Sequence, residues 1–479
     1  MVLRLIVVFL LAICLSVLFL VFRGRENNTT KSRLVATVLC FLDALVLFIT
    51  FFSPWTLFPT SLFDWSWGPA VNEYGYEISL MNSIYLTKNK YVIPDGYSAE
   101  KIQIPEMSDL ENEGQRKPDV ILILNETFSE LGYYCDLLPE EDPVNQLYET
   151  ERIIHGYSTV SLVGGGTNNS EYELLTSNSM AGITISAPFL VFDMNNANSV
   201  VSHLEKFGYH TVGMHCGEKR NYGRNTAYPA VGFDDIYLGK DSFQEYNVYG
   251  NRPWLDKDNY IDLIQAYEGC GEEPRFMYLL TYQNHGGYEQ NPPEEDLISI
   301  KEDFGTYIDD VNEYLSSMKL SVEAFRELTE YFSNVDRDTI ILMVGDHMPS
   351  FISQLEPKHG IEGLQCDISQ KTVPYIVWAN FDIGDSAFTN HSSMVDLIPM
   401  LLKTAGIPLS PYYQYILDLN RVLPIRTQEG LVADEKGVIY YSNDQLPSYE
   451  LIQNYYYMEY NNLLHGDDYR NELFEIAAQ

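Results

Sequence analysis

The stretch DVILILNET, residues 119–127, sets five apolar residues in a row between an aspartate and a polar Asn-Glu-Thr step. An unbroken apolar run of that length, without alternation, predicts a strand buried on both faces. Further β-rich runs come later in the chain: HTVGMH at 210–215, FMYLLTY at 276–282, TIILMVGD at 339–346 and YIVWAN at 375–380. Between them lie segments with helical spacing, among them SEYELLTSNSM (170–180), VVSHLEKFG (200–208) and the long stretch 306–332. The alternation predicts an α/β fold with a mostly parallel sheet sandwiched by helices. In such sheets ligands bind beyond the carboxyl ends of the strands.

The residues just past each strand are therefore the place to look for chemistry. The first strand runs into Asn125-Glu126-Thr127, the second into CGEKRNYGR ending at Arg224, the third into QNHGGY with His285, and the fourth into Asp346-His347. Glu126, Asp346 and His347, joined by the hydroxyl of Thr167, form an oxygen-rich set with one nitrogen. That set suits one divalent cation, Mn²⁺ or Mg²⁺, with Zn²⁺ less characteristic. Such an ion polarises a phosphoryl oxygen and lowers the pKa of a threonine hydroxyl, otherwise a poor nucleophile. Thr167 comes directly after Gly164-Gly165-Gly166, a run that lets backbone come close to a ligand, and a helix starting near residue 168 or 169 aims N–H groups at an anion. Each residue also has a plainer reading. Thr167 with Glu171 can be a helix cap, Asp346-His347 a turn, His285 a loop residue and Arg224 a surface ion-pair partner, while His203, His210 and His215 read as structural.

Composition narrows the partners. With 30 Lys and Arg against 67 Asp and Glu the net charge is −37, which argues against nucleic acid, and any phosphate must be gripped locally by a metal or a few placed cations. Residues 5–22 carry no charge and residues 34–52 only Asp43. Both stretches reach the roughly 20 residues needed to cross a bilayer. The connector between them holds Arg23, Arg25, Lys31 and Arg33, so the positive-inside tendency predicts a cell-membrane protein with two spans and everything after Phe52 extracellular. Asp43 at mid-span costs about 2.5–3.5 kcal/mol and is expected to face the other helix or to be protonated. Cys14 and Cys40 fall in the spans, and Cys135, Cys216, Cys270 and Cys366 show no CxxC pairing, so no zinc module or disulfide scaffold is indicated. The expected organisation is two spans with a short cytoplasmic loop (1–54), a juxtamembrane connector (55–117), a catalytic domain (118–425) and a tyrosine-rich C-terminal subdomain packing on it (426–479).

Taken together, DVILILNETFSELGYY, GGGTNNSEYELLTSNSM, NYGRNTAYPAVGFDDIY, YQNHGGY and MVGDHMPSF resemble, in order, the extracellular domain of lipoteichoic acid synthases and related membrane phosphoglycerol transferases of the alkaline phosphatase/sulfatase superfamily. The resemblance implies a metal set of Glu126, Thr167, Asp346 and His347, with Thr167 as nucleophile. It also implies Arg224 and His285 as substrate-binding residues, His285 acting in catalysis. Tyr222 stands where the synthases typically have tryptophan, and two expected spans replace their usual five. The implied reaction moves glycerophosphate from phosphatidylglycerol to a surface glycan or polyglycerolphosphate chain through a threonine-linked intermediate. A phosphoethanolamine transferase, a phosphodiesterase or phosphatase, and a non-catalytic membrane-anchored binding protein are the alternatives. Sulfatase chemistry needs a Cys or Ser in a C/S-x-P-x-R context, and TNNSE stands there instead.

Overall fold

The computed structural model describes residues 90–105 and 117–476, except 245–246, 250–251, 289–295, 302–303, 442–445 and 464–467, together with a few scattered positions before residue 80. Contacts divide the chain into Met1–Val92 with Thr184–Ser186 and a larger unit, Ile93–Ile183 with Ala187–Gln479, which holds the sheet. Among the described residues no helix is long and apolar enough to cross a membrane. The predicted span at 5–22, most of that at 34–52, and Asp43 lie outside the described residues.

The sheet has eight strands: β1 (Asp119–Asn125), β2 (Ile153–Thr159), β3 (His210–His215), β4 (Asp235–Leu238), β5 (Arg275–Leu280), β6 (Thr339–Gly345), β7 (Thr372–Ala379) and β8 (His391–Ser393). Their order is β8-β2-β7-β6-β1-β5-β3-β4. All neighbours pair in parallel except at β7, which runs antiparallel to both β6 and β2. One reversed strand leaves the other seven pointing the same way. Every residue of β1, β5, β6 and β7 is buried, as expected of central strands covered on both faces.

Two edges of the sheet contrast. At the amino edge Asp119 accepts hydrogen bonds from Tyr267 Oη (2.7 Å), from Arg275 N and Nη1 (2.9 and 3.2 Å) and from Arg337 Nε and Nη2 (2.7 and 2.9 Å). That carboxylate is saturated and ties β1 to its neighbours. The carboxyl edge carries the predicted site residues. Helices α1 (Thr167–Thr176), α2 (Arg224–Val231), α3 (Asp256–Gly269) and the long α4 (Ile308–Ser333) succeed or precede those strand ends.

The C-terminal part forms α5 (Pro411–Val422), a three-stranded sheet of β9 (Ile425–Arg426), β10 (Leu431–Ala433) and β11 (Ile439–Tyr441), and α6 (Tyr449–Leu463). Its tyrosines reach the far end of α1. The Ser177 carbonyl, just past the last turn of α1, accepts from Tyr412 Oη (2.9 Å) and Tyr455 Oη (2.8 Å). Tyr412 Oη shares its one proton with Asn178 Oδ1 (2.6 Å), which also accepts from Asn462 Nδ2 (3.1 Å), and Glu459 accepts from the Ser179 N–H. Ser177 itself is left-handed (φ 54°). The Ser177 carbonyl that the helix end leaves over is thus met by side chains from the C-terminal part.

Candidate active site

Glu126 leaves the end of β1, and Asp346 and His347 leave the end of β6 next to it in the sheet. This adjacency, not sequence proximity, makes the cluster. Gly345 permits it: a Cβ there would lie 1.9 Å from the Phe128 carbonyl oxygen, so the two loops touch backbone to backbone. The ligand atoms of Glu126, Asp346 and His347 lie within 4.8 Å of one another, and all three residues are buried. Asp346 Oδ1 accepts from the N–H groups of Thr127 (2.7 Å) and His347 (2.8 Å). Its Oδ2 accepts no hydrogen bond of good geometry among the described residues, and His347 Nε2 stands 3.2 Å from it. His347 Nδ1 pairs with the Met348 carbonyl at 2.9 Å, which leaves Nε2 facing the carboxylates.

Thr167 joins this cluster from α1. Its hydroxyl donates to Glu126 Oε2 at 3.4 Å, while Thr127 Oγ1 donates to Glu126 Oε1 at 2.9 Å. The helix begins on Thr167 itself, with Gly166 as cap in a left-handed conformation (φ 81°) and no side-chain cap. The capping reading of Thr167 is therefore replaced by a hydroxyl at the first helical position, free of backbone duty. The glycine run also differs from expectation. A Cβ on Gly164 would lie 2.6 Å from Ser350 Cα, and the Gly164 N–H donates to Met348 O at 3.0 Å. This close approach joins the glycine loop to the Asp-His loop, while the space beside Gly165 is open. Ser170 Oγ, one turn along, donates to the Asp346 carbonyl at 2.5 Å.

Arg224 is the first residue of α2 and only 2% exposed; it is not a surface ion-pair partner. Its Nε donates to Glu171 Oε2 (3.0 Å) and Oε1 (3.3 Å), and its Cζ lies 5.1 Å from the centre of the Tyr222 ring. Burial disfavours the guanidinium charge, but Glu171 more than restores it, holding Arg224 above its ordinary value. Tyr222 sits in left-handed backbone (φ 55°), a costly conformation for an aromatic residue that the surroundings must enforce. Burial raises its hydroxyl to about 12; Arg224 opposes the rise, whereas Glu126 and Asp346 add to it. Tyr222 thus lies in the field of the cluster. His285 is exposed and stacks on Tyr282, with centroids 5.0 Å apart and planes 6° off parallel. Burial and then the Glu126 carboxylate raise the Tyr282 hydroxyl.

Asp346 and His347 both hold a proton more tightly than usual. Burial raises the Asp346 carboxyl to about 6, with Glu126 adding to the rise and His347 opposing it. Burial works against a charged His347, but the carboxylates of Asp346 and Glu126 outweigh it and hold the imidazole above its usual value. Two buried carboxylates beside a ring nitrogen and a hydroxyl, with Asp346 Oδ2 turned toward His347 Nε2, make a donor set that a divalent cation completes. His203 and His210 are built in elsewhere, on the Pro408 carbonyl (2.9 Å) and on Asp235 (2.8 Å). His215 pairs its Nδ1 with the Leu280 carbonyl (3.1 Å), and burial, then the charges of Arg224 and His285, hold it well below its ordinary value, so it borders the site that sequence did not assign it to. Cys135, Cys216, Cys270 and Cys366 are free thiols. Thr127, Ser170, Glu171 and Tyr228 were not singled out for the site from sequence. Glu171 had a signal, since it stands four residues after Thr167 and shares its helix face, but it also fitted local capping.

Comparison with known proteins agrees with this fold. The sulfatase family model matches residues 118–407. A putative cyclic beta-1,2-glucan modification protein of Rhizobium meliloti (strain 1021) is 25% identical over 431 residues, 82% of this chain, and the chain spans 64% of that protein's own length. Among solved structures, the phosphoglycerol transferase GacH of Streptococcus pyogenes, in complex with sn-glycerol-1-phosphate, superposes with a TM-score of 0.61 at 19% identity, covering 81% of this chain and 100% of that one. The lipoteichoic acid synthase LtaP of Listeria monocytogenes gives 0.53 at 14%, covering 78% and 95%. With the family match spanning more than half of its length, and the cluster just described lying within the matched residues, the chain belongs to the sulfatase family.

Proposed function

We propose that this chain is a membrane-anchored, metal-dependent phosphoglycerol transferase that moves glycerophosphate from phosphatidylglycerol to a surface glycan or polyglycerolphosphate acceptor, its catalytic domain extracellular. The observation that carries the reading is the convergence of Thr167 with Glu126, Asp346 and His347, beside a buried arginine braced one turn along the same helix. The fold shared with a phosphoglycerol transferase described with sn-glycerol-1-phosphate supports the substrate class. The absence of a C/S-x-P-x-R context at Thr167 speaks against sulfate-ester hydrolysis despite the family.

Glu126, Thr167, Asp346 and His347 would hold the ion, Mn²⁺ before Mg²⁺ or Zn²⁺, and a divalent cation there supplies Lewis-acid stabilisation of phosphoryl charge. Thr167 Oγ, its proton directed at Glu126 Oε2, attacks phosphorus. The Oγ–P bond forms as the bond from phosphorus to the diacylglycerol oxygen breaks, and His285 delivers a proton to that oxygen. Arg224 balances the growing charge on the phosphoryl oxygens, and Tyr222 borders the glycerol. Glu126 Oε2 holds the proton given up by Thr167 Oγ. An acceptor hydroxyl then attacks the threonine-linked phosphorus and gives its proton to His285 as the P–Oγ bond breaks, and Glu126 returns the held proton to Thr167 Oγ.

The test incubates the full chain with Mn²⁺ and a fluorescent phosphatidylglycerol. Diacylglycerol release that needs the metal and vanishes in Thr167→Ala supports the reading, and unchanged release from that variant removes threonine from the mechanism. A phosphoethanolamine lipid run in parallel decides the donor. Mass spectrometry of a glycerophosphoryl adduct on Thr167 separates transfer through the chain from direct attack by water.

A further inference from the structure

Resting on that reading, we infer that Glu171 is the positioning residue for Arg224: it fixes the guanidinium from behind so that its outer edge meets the phosphoryl group at a set distance from Thr167. Both partners are sealed from water, with Glu171 0% and Arg224 2% exposed. A guanidinium that cannot lose its proton must have a counter-charge when buried. The pairing uses Nε alone. Among the described residues Nη1 and Nη2 take no protein acceptor in the hydrogen bonds of Arg224, and these two groups are the fork that grips two oxygens of a phosphoryl group at once.

Glu171 is itself held still. Its Oε1 accepts from Tyr228 Oη at 2.5 Å and its Oε2 from Asn168 Nδ2 at 3.4 Å. Asn168 in turn accepts the Phe189 N–H at 3.2 Å. Tyr228 lies on α2, one turn beyond Arg224, so the carboxylate clamps that helix at two points. Thr167 and Glu171, four residues apart, share one face of α1. One rigid helix therefore carries both the nucleophile and the brace of the charge-balancing arginine. Their spacing is set by helix geometry and not by loops.

A double-mutant cycle on the Mn²⁺-loaded full chain tests this, with glycerol 1-phosphate as the probe in calorimetric titrations. Glu171→Gln is expected to weaken probe binding about tenfold to a hundredfold while Mn²⁺ affinity stays within twofold. Arg224→Ala weakens it similarly, and the double variant is no weaker than Arg224→Ala alone. A structural role for Glu171 would not produce that coupling. Glu171→Asp should recover part of the loss. If Glu171→Gln does not fold, Tyr228→Phe serves: a few-fold loss that disappears in the Arg224→Ala background supports the inference. Wild-type affinity in Glu171→Gln, or losses that add in full with Arg224→Ala, overturns the positioning role alone. A wild-type chain that binds no glycerol phosphate overturns both this inference and the proposed function.

Discussion

Glu171 and Glu173 stand two residues apart on α1, both buried, and the helix turns them to opposite flanks. Glu171 meets the Arg224 guanidinium and the Tyr228 hydroxyl. Glu173 meets the Met180 N–H at 2.9 Å and shares its surroundings with Glu459 from the tail. Burial, reinforced by Glu459, pushes the Glu173 carboxyl up to about 8, and burial likewise carries Glu459 to about 8. The site flank is thus organised by an ion pair, while the tail flank is organised by protons.

The largest expected effects fall on the site flank. Thr167→Ala and Asp346→Asn should each lower diacylglycerol release about a thousandfold or more, with thermal unfolding midpoints near that of the wild type; residual turnover above a few per cent would detach the flank from chemistry. Arg224→Lys keeps the charge but loses the planar fork, and about a hundredfold loss in kcat/KM is expected. A tenfold loss or less would mean that charge alone suffices there.

The tail flank should show itself in stability. In the folded chain Glu173 and Glu459 hold protons up to about 8, whereas unfolded glutamates release them near 4.5. The folded state binds more protons between those values, so stability falls as pH rises from about 4.5 through 8. Glu173→Gln removes part of that dependence. Its unfolding midpoint should decline less than wild type between pH 6 and 9, with activity at pH 7 changed less than threefold; parallel curves for the two proteins would show that Glu173 takes up no extra proton. Smallest of all, Tyr455→Phe removes one of two hydroxyls on the Ser177 carbonyl, at a cost of about 0.5–1.5 kcal/mol. Denaturant unfolding measures it, and a loss of activity exceeding that of stability would contradict a purely anchoring role.

Much of the site flank was legible in the sequence. β1, β3, β5 and β6 announce themselves because central strands need apolar side chains, and Glu126, Asp346 and His347 are conspicuous as chemistry-bearing residues directly after them. β2 was not, because IIHGYST is part-exposed over its first three residues and mostly buried after them, with no clean two-residue period, and its Gly156 leaves room for the Tyr375 hydroxyl, a need visible only from the partner strand. The reversal of β7 was hidden too, since a strand buried on both faces reads alike in either direction. Glu171 was visible as a carboxylate, but it also fitted the role of assisting Thr167 as a cap, whereas the helix starts after Gly166 without a side-chain cap, and Arg224 is a residue type rarely so buried. Pairing across 53 positions leaves no local trace. The tyrosines of the tail were noticed and their target was not, for the same reason.

The clamp on Ser177, Asn178 and Ser179 also has a meaning in time. Its members, Tyr455, Glu459 and Asn462, are separated from the residues they hold by up to 284 positions. Contacts of such long range close late in folding, because the intervening chain must first give up its freedom. During synthesis the helix bearing Thr167 is complete long before its far end can be secured. Until residues 455–462 have been made and returned to it, the nascent chain carries α1 with the segment just past its last turn unmet by these side chains.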